Sequence, residues 1–300
     1  MNLSIKKHRE FRRWYVGVLF ILPACIFFGV LVLYPTVISF YLSFTNFTSL
    51  SPYVSFVGLT HYRAMLDDPN FLMSLKNTII WSIIYTILSV GGGLLFALIL
   101  NTVRWVRNLL RMALYYPMAL SFVVIGLLWK WMYLPDMGII NSALKSIGLD
   151  SLAQPWLGQP STALYSIIIA ASWQQVAYCM VLYLAGLAAI PNEYFEAAQI
   201  DGATRLQSIR HVIIPLLSRV SAIAIVTTVL KSFKVFDLVY IMTFGGPGRA
   251  SFVLPFFMYL EAFRHYRMAY GTAVSVVSLV IVFPFVMGYI RYLSQQEGRE

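Results

Sequence analysis

The sequence predicts an all-α, polytopic membrane protein with six transmembrane helices, and three observations carry that prediction. Of its 300 residues 59% are hydrophobic and 11% charged, with a mean hydropathy of +0.74, too little polar surface to cover a soluble globule. Six apolar runs approach or exceed the roughly 20 residues a helix needs to cross a bilayer core. The remaining basic residues favour alternate inter-run segments, as in a chain threaded back and forth across a membrane.

Residues 1–13 carry Lys6, Lys7, Arg9, Arg12 and Arg13 against Glu10 alone. The apolar run from Trp14 to about Phe44 far exceeds the roughly 7–15 residues of a signal-peptide core, so it reads as a retained first span behind a cytoplasmic basic head. Pro23 and Pro35 are positions for kinks in it. Further runs lie near Thr78–Leu100, Leu110–Tyr133, Ala163–Ile190, Leu216–Phe236 and Ala269–Tyr292. They complete a transmembrane domain over 14–292, with 293–300 as a cytoplasmic tail. An even number of spans places both termini on one side. Cytoplasmic segments then hold the basic head, Arg104, Arg107 and Arg111, next Arg205, Arg210 and Arg219, and finally Arg291 and Arg299. Outer loops hold Arg63, Lys76, Lys145, Arg249, Arg264 and Arg267, partly offset by Asp67, Asp68, Asp136, Asp150 and Glu261, so the bias puts both termini inside.

Composition also excludes. The net charge of +10 is not gathered into an aromatic-laced patch, which argues against nucleic acid as a partner. Cys25 and Cys179 fall within apolar runs, which speaks against a disulfide framework. His8, His61, His211 and His265 are scattered without metal-ligand spacing, so no metal site is expected. No G-x4-G-K-[ST] occurs; if ATP drives this protein, another chain binds it.

The stretch Pro191–Pro215, PNEYFEAAQIDGATRLQSIRHVIIP, is a polar island between two apolar runs and belongs in water. It reads as two short helices with a break. Asn192 suits an N-cap, and Glu193 and Glu196 put negative charge in the first turn. Gly202 suits the left-handed position that ends a helix, and Pro215 closes the island. Phe195, Ala198 and Gly202 share one narrow face that another surface can approach closely. By residue type alone this is equally an ordinary cytosolic loop.

Glu196-Ala197-Ala198, Gly202 after three more residues, and Val212-Ile213-Ile214-Pro215 resemble the EAA loop of ABC-importer permeases, E-A-A-x3-G-x9-I-x-L-P, with Val212 and Ile214 as mild departures. FVGLTHYRAML resembles the segment before the second span of sugar permeases in this superfamily, and PDMGIIN their P-D-x-G-x-x-N turn. FDLVYIMTFGGPGRAS resembles the F-D-x-x-x-x-M-T-x-G-G-P segment of the maltose and glycerol-phosphate type. The resemblance runs from about Trp14 to Tyr292.

Within the spans, Gly91-Gly92-Gly93 permits close helix packing or local unwinding, with packing the expected role. The fourth run carries Trp173, Gln174, Gln175 and Tyr178, and the fifth Thr227, Thr228, Lys231, Ser232, Lys234 and Asp237. Buried amides and hydroxyls need partners, so these groups face other helices or a wet cavity. One reading is hydrogen-bonded helix packing with lysines reaching the headgroups; the other is a solute path through Gln174, Gln175, Tyr178, Thr228, Lys231 and Ser232. Lys234 and Asp237, three residues apart, are a candidate ion pair.

The resemblance implies an ABC type I importer permease: a transport subunit, not an enzyme, in a bacterial cytoplasmic membrane. It implies one of two permeases, paired as a homo- or heterodimer, for an oligosaccharide or related solute. It further implies a pair of ATPase subunits that carry ATP and Mg, and an extracellular or periplasmic solute-binding protein, with no cofactor in this chain. Glu193, Glu196, Ala197, Ala198, Asp201, Gly202 and Pro215 then form the ATPase-coupling loop, and Gly245, Gly246 and Pro247 meet the binding protein. The competing class is an ion-gradient-driven secondary transporter, against which the lack of any visible internal repeat weighs. No convergent His, Ser and carboxylate set supports a membrane enzyme.

Overall fold

The computed structural model describes residues 18–50, 53–102 and 112–297. The basic head, Arg104, Arg107, Arg111, Arg299 and the first residues of the third run lie outside them. Four helices are long and apolar enough to cross a membrane, and two bent pairs bring the possible spans among the described residues to six.

The first span is α1, Val18–Leu42, whose most apolar stretch is wholly unburied within the chain. It widens into a π-helical turn at Gly29–Leu33, where the Tyr34 N–H reaches back to Gly29 O. Pro35 follows directly; lacking an N–H and crowding the preceding turn, it explains the altered register. A short helix α2, Thr60–Asp67, leads to α3, Pro69–Thr102. Asp68 Oδ1 accepts the Asn70 N–H at 2.9 Å and starts α3 upstream of the expected span. Ser74 and Thr78 return their hydroxyl protons to carbonyls one turn back, both at 2.7 Å, so this polar overture stays helical.

The expected third span is not one helix. Met112–Ala119 (α4) and Phe122–Met132 (α5) meet at 113°. Pro117 removes a backbone donor there, and Ser121 restarts the helix by accepting the Val124 N–H at 3.3 Å. Helix α6, Ile139–Ser146, buries Asn141, whose amide donates to Pro135 O and Gln154 O, both at 3.0 Å, and accepts Trp156 Nε1–H at 2.8 Å. That is the physical content of the Asn in PDMGIIN.

Helix α7, Ala163–Ala188, is the most buried of the long helices and packs along α3. Gly92 and Gly93 make that approach possible: a Cβ on Gly92 would lie 3.0 Å from Val176, and one on Gly93 would overlap Cys179. Two short helices follow, α8 Asn192–Ile200 and α9 Arg205–Leu216. The expected fifth span is corrected too, since Ser218–Ser232 (α10) has only 15 residues and meets α9 at 68°. Pro215 therefore ends no helix by itself; a π-helical turn at Ile209–Ile213 precedes it, as at Pro35, and the bend falls at Leu217. Helices α11 Asp237–Met242 and α12 Leu254–Tyr259, and the long α13 Met268–Glu297, complete the chain. One apolar core gathers around Trp81, Ile125, Ile167 and Phe256, and another around Leu100, Met180, Tyr183 and Leu217.

Candidate functional site

Within the spans, α7 and α10 bring four of the six expected path residues together. Lys231 Nζ donates to Gln175 Oε1 at 2.9 Å and lies 4.2 Å from the centroid of the Tyr178 ring. Gln175 Nε2 donates to Thr228 Oγ1 at 2.9 Å, and the Thr228 hydroxyl donates to Ala224 O at 2.6 Å. The lysine thereby fixes which end of the amide faces which neighbour. Two residues do not join. Gln174 Nε2 donates to Leu120 O at 2.6 Å, satisfying the carbonyl freed by the break between α4 and α5. Ser232 Oγ donates to Ser82 Oγ at 2.9 Å and pins α10 to α3. The expected Lys234–Asp237 ion pair is not formed.

Beside the cluster lies a cavity of 220 Å³, walled by Trp81, Tyr85, Phe122 and Phe236 and edged by Lys231, Lys234 and Asp237. Trp81 is fully buried, yet its indole N–H has no hydrogen-bond partner. Leaving such a donor unpaired costs about 1–3 kcal/mol. The aromatic walls were missed in the sequence, although Trp81 and Tyr85 stand four apart on one helical face.

The polar island packs one side on the core and leaves the other open. Glu193, Glu196, Ala197, Asp201, Gly202 and Pro215 are exposed. Asn192 is not the N-cap: Pro191 occupies that position and Asn192 is the first helical residue, with no side-chain cap. Gly202 stands at φ +73°, and the Ala203 N–H returns to Ala198 O at 2.9 Å. Thr204 and Gln207 then form a reciprocal capping box that starts α9, a T-x-x-Q signature readable in the sequence. On the expected narrow face Phe195 is half-buried against the core and Ala198 is 7% exposed, while Ala198 and Gly202 line an open groove of 480 Å³ with Tyr194, Ala197, Asp201 and His211.

At the other end, Phe244 to Ser251 is tightly folded, with φ of 51° at Phe244, 80° at Gly245, 53° at Gly248 and 73° at Arg249. Gly245 is buried: a Cβ there would come 2.5 Å from the rings of Phe252 and Phe256. Of the three expected contact residues only Gly246 and Pro247 reach the surface, where Gly248 and Arg249 are more exposed.

Residues 89–296 match the family model of the binding-protein-dependent transport system inner membrane component. The chain belongs to that family. This permease is 37% identical over 245 residues to the probable ABC transporter permease protein YurN of Bacillus subtilis, covering 81% of this chain and 83% of YurN. It is 33% identical to the trehalose/maltose transport system permease protein MalF of Thermococcus litoralis, covering 78% of each. In fold it is similar to a chain of a bacterial ABC transporter involved in the import of the acidic polysaccharide alginate, with a TM-score of 0.80 and 24% identity over 95% of this chain and 99% of that one. The permease is thus a transport component with the all-helical fold of ABC importer permeases.

Proposed function

We propose that this permease is one of two membrane subunits of an ATP-driven importer for an oligosaccharide or related polyol, loaded by a solute-binding protein outside the cell. Both termini lie in the cytoplasm, as the charge bias supports. The observation that carries the reading is the exposed helix pair from Asn192 to Leu216, whose E-A-A-x3-G register stands beside an open groove. A pair of ATPase subunits, carrying ATP and Mg, docks there. Glu196 supplies a polar contact, Ala197 allows close approach, and Gly202 sets the angle between α8 and α9. Sugar as cargo is supported by the aromatic-walled cavity and by relatives such as the trehalose/maltose transport system permease.

The geometry gives the lever its transmission. Helix α9 passes into α10 through the single residue Leu217, and α10 carries Thr228 and Lys231. A displacement of α8 and α9 is therefore a displacement of one wall of the cavity. ATP binding favours the outward-facing state only insofar as the closed ATPase pair binds that state more tightly. No bond in the solute is broken.

The test is purification of the tagged permease in mild detergent, with copurifying chains identified by mass, beside a Glu196→Lys, Gly202→Pro double variant. The expected result is an ATPase and a second permease with the parent, and selective loss of the ATPase from the variant. A complex without ATPase, unchanged by the variant, would sink the reading and make ion-coupled transport the next experiment.

A further inference from the structure

The loop from Phe244 to Leu254 is folded against its own preference, since Phe244 and Arg249 are non-glycine residues in the left-handed region. Bonds within the loop, such as Ala250 N–H to Pro247 O at 2.9 Å and Ser251 N–H to Gly245 O at 3.2 Å, are joined by bonds from the head of α3. Asn77 is 7% exposed, and its side-chain amide donates to Ala250 O and Phe252 O, both at 2.9 Å. A primary amide has two N–H groups, and both are used. The next residue, Thr78, accepts the Leu254 N–H at 2.9 Å through Oγ1. Seven residues upstream, Asn70 accepts from Arg249 Nη1. Three polar side chains of one helix thus bind the loop at four residues. Asn77 alone bonds the two carbonyls that flank Ser251, which is itself buried and donates to Gly246 O at 2.7 Å.

We propose that Asn77 is a positioning residue for docking of the solute-binding protein. By clamping Ala250 and Phe252 it presents the Gly246–Arg249 tip in one conformation, so that docking need not order the loop. This rests on the reading that the tip meets the binding protein. An interface that is already ordered avoids the entropic cost of ordering at association, so the clamp acts on affinity and not on turnover. Chemistry makes the role specific to an amide. Aspartate has the same shape but no N–H, and would set a negative oxygen against two carbonyl oxygens.

The experiment uses the assembled transporter in nanodiscs and a binding protein purified from the same cells with its solute bound. It compares the parent with Asn77→Asp and, should that variant fail to assemble, Asn77→Ser. Two quantities are read: amide hydrogen exchange of residues 243–254, and ATPase rate against binding-protein concentration. The expected result is at least tenfold faster exchange in the loop, with α3 and α7 unchanged. The half-saturating concentration of binding protein rises about tenfold, while basal and maximal ATPase rates stay within twofold. A merely structural role would lower assembly or basal rate and leave half-saturation alone.

A third variant, Gly248→Trp, separates the two claims when read beside Gly248→Ala: a Cβ there meets no atom within 4 Å, so the Trp bulk projects from the tip, and the Ala variant carries the same left-handed strain at φ 53° without the bulk. If Gly248→Trp leaves stimulation intact, the tip is not the docking place, and the docking role of Asn77 falls with that reading. If Gly248→Trp abolishes stimulation while the Asn77 variants change neither exchange nor half-saturation, the positioning role alone is overturned.

Discussion

Between Pro191 and Pro215 the backbone is shaped by bonds that reach three to five residues: Gly202 N–H to Gln199 O, Ala203 N–H to Ala198 O, and the Thr204–Gln207 box. Between Phe244 and Leu254 bonds of similar reach, such as Ser251 N–H to Gly245 O, are joined by bonds that reach 173 to 179 residues, to Asn70, Asn77 and Thr78 on α3. Both stretches join spans and both turn on a glycine at positive φ, Gly202 at 73° and Gly245 at 80°. Their surroundings differ. Gly202 stands in open space, whereas Gly245 is enclosed by Phe252 and Phe256. A helix pair whose turns are held by their own bonds keeps its shape where Phe195 and Ile213 rest on the core. A loop sewn to the longest helix moves only with that helix.

The comparison breaks most visibly at Gly245. Gly245→Ala adds left-handed strain and forces a methyl into two aromatic rings, and is expected to destabilise the permease by about 3 kcal/mol. The thermal unfolding midpoint of the purified protein checks this, and a midpoint unchanged from the parent would show that the loop is not packed as described. A smaller effect is expected one turn below the clamp. Trp81 lies four residues after Asn77 on α3 and walls the cavity with an indole whose buried N–H is unpaired. Trp81→Phe keeps the apolar wall and removes the donor. Transport in vesicles should fall about tenfold, roughly 1.4 kcal/mol of lost solute recognition, with basal ATPase rate within twofold. Equal transport by parent and variant would assign the indole to packing.

How far these differences were legible follows from the reach of the interactions. The spans were readable because apolar length is a local property, and Gly202 was readable because a helix stop needs only its own backbone. Gly92 and Gly93 fulfilled their packing reading for a similar reason: no other residue permits the contact with Cys179. The broken third and fifth spans were not readable. Pro117 and Pro215 mark where hydrogen bonds are lost, but the size of each bend depends on who repairs it, and for Leu120 that is Gln174, 54 residues away. Gln174 thus looked like a solute contact when its amide serves the backbone. Asn77 attracted no notice at all, as one polar residue at the head of an apolar run, since its partners lie in a loop more than half the chain away. Where the polar island is concerned, the sequence located the helices but not how deeply each residue of a face is buried. Which side of α8 turns inward is decided by the core it rests on, around Leu187 and Ile213.

The smallest expected effects belong to the cytosolic stretch, and they sharpen the comparison because its supports are local. Gly202→Ala meets no neighbouring atom, so it should cost only the left-handed strain of about 1 kcal/mol, about a third of the Gly245→Ala effect. Thr204→Ala removes one half of the capping box and is expected to cost about 1 kcal/mol, confined to α9. Because the box touches no span, hydrogen exchange should quicken in residues 204–208 and stay unchanged in α7 and α10, and the thermal midpoint should barely move. If Thr204→Ala instead loosened α10, the pair α8–α9 would be part of the span body after all. The two inter-span stretches would then differ in the length of their hydrogen bonds but not in their freedom to move.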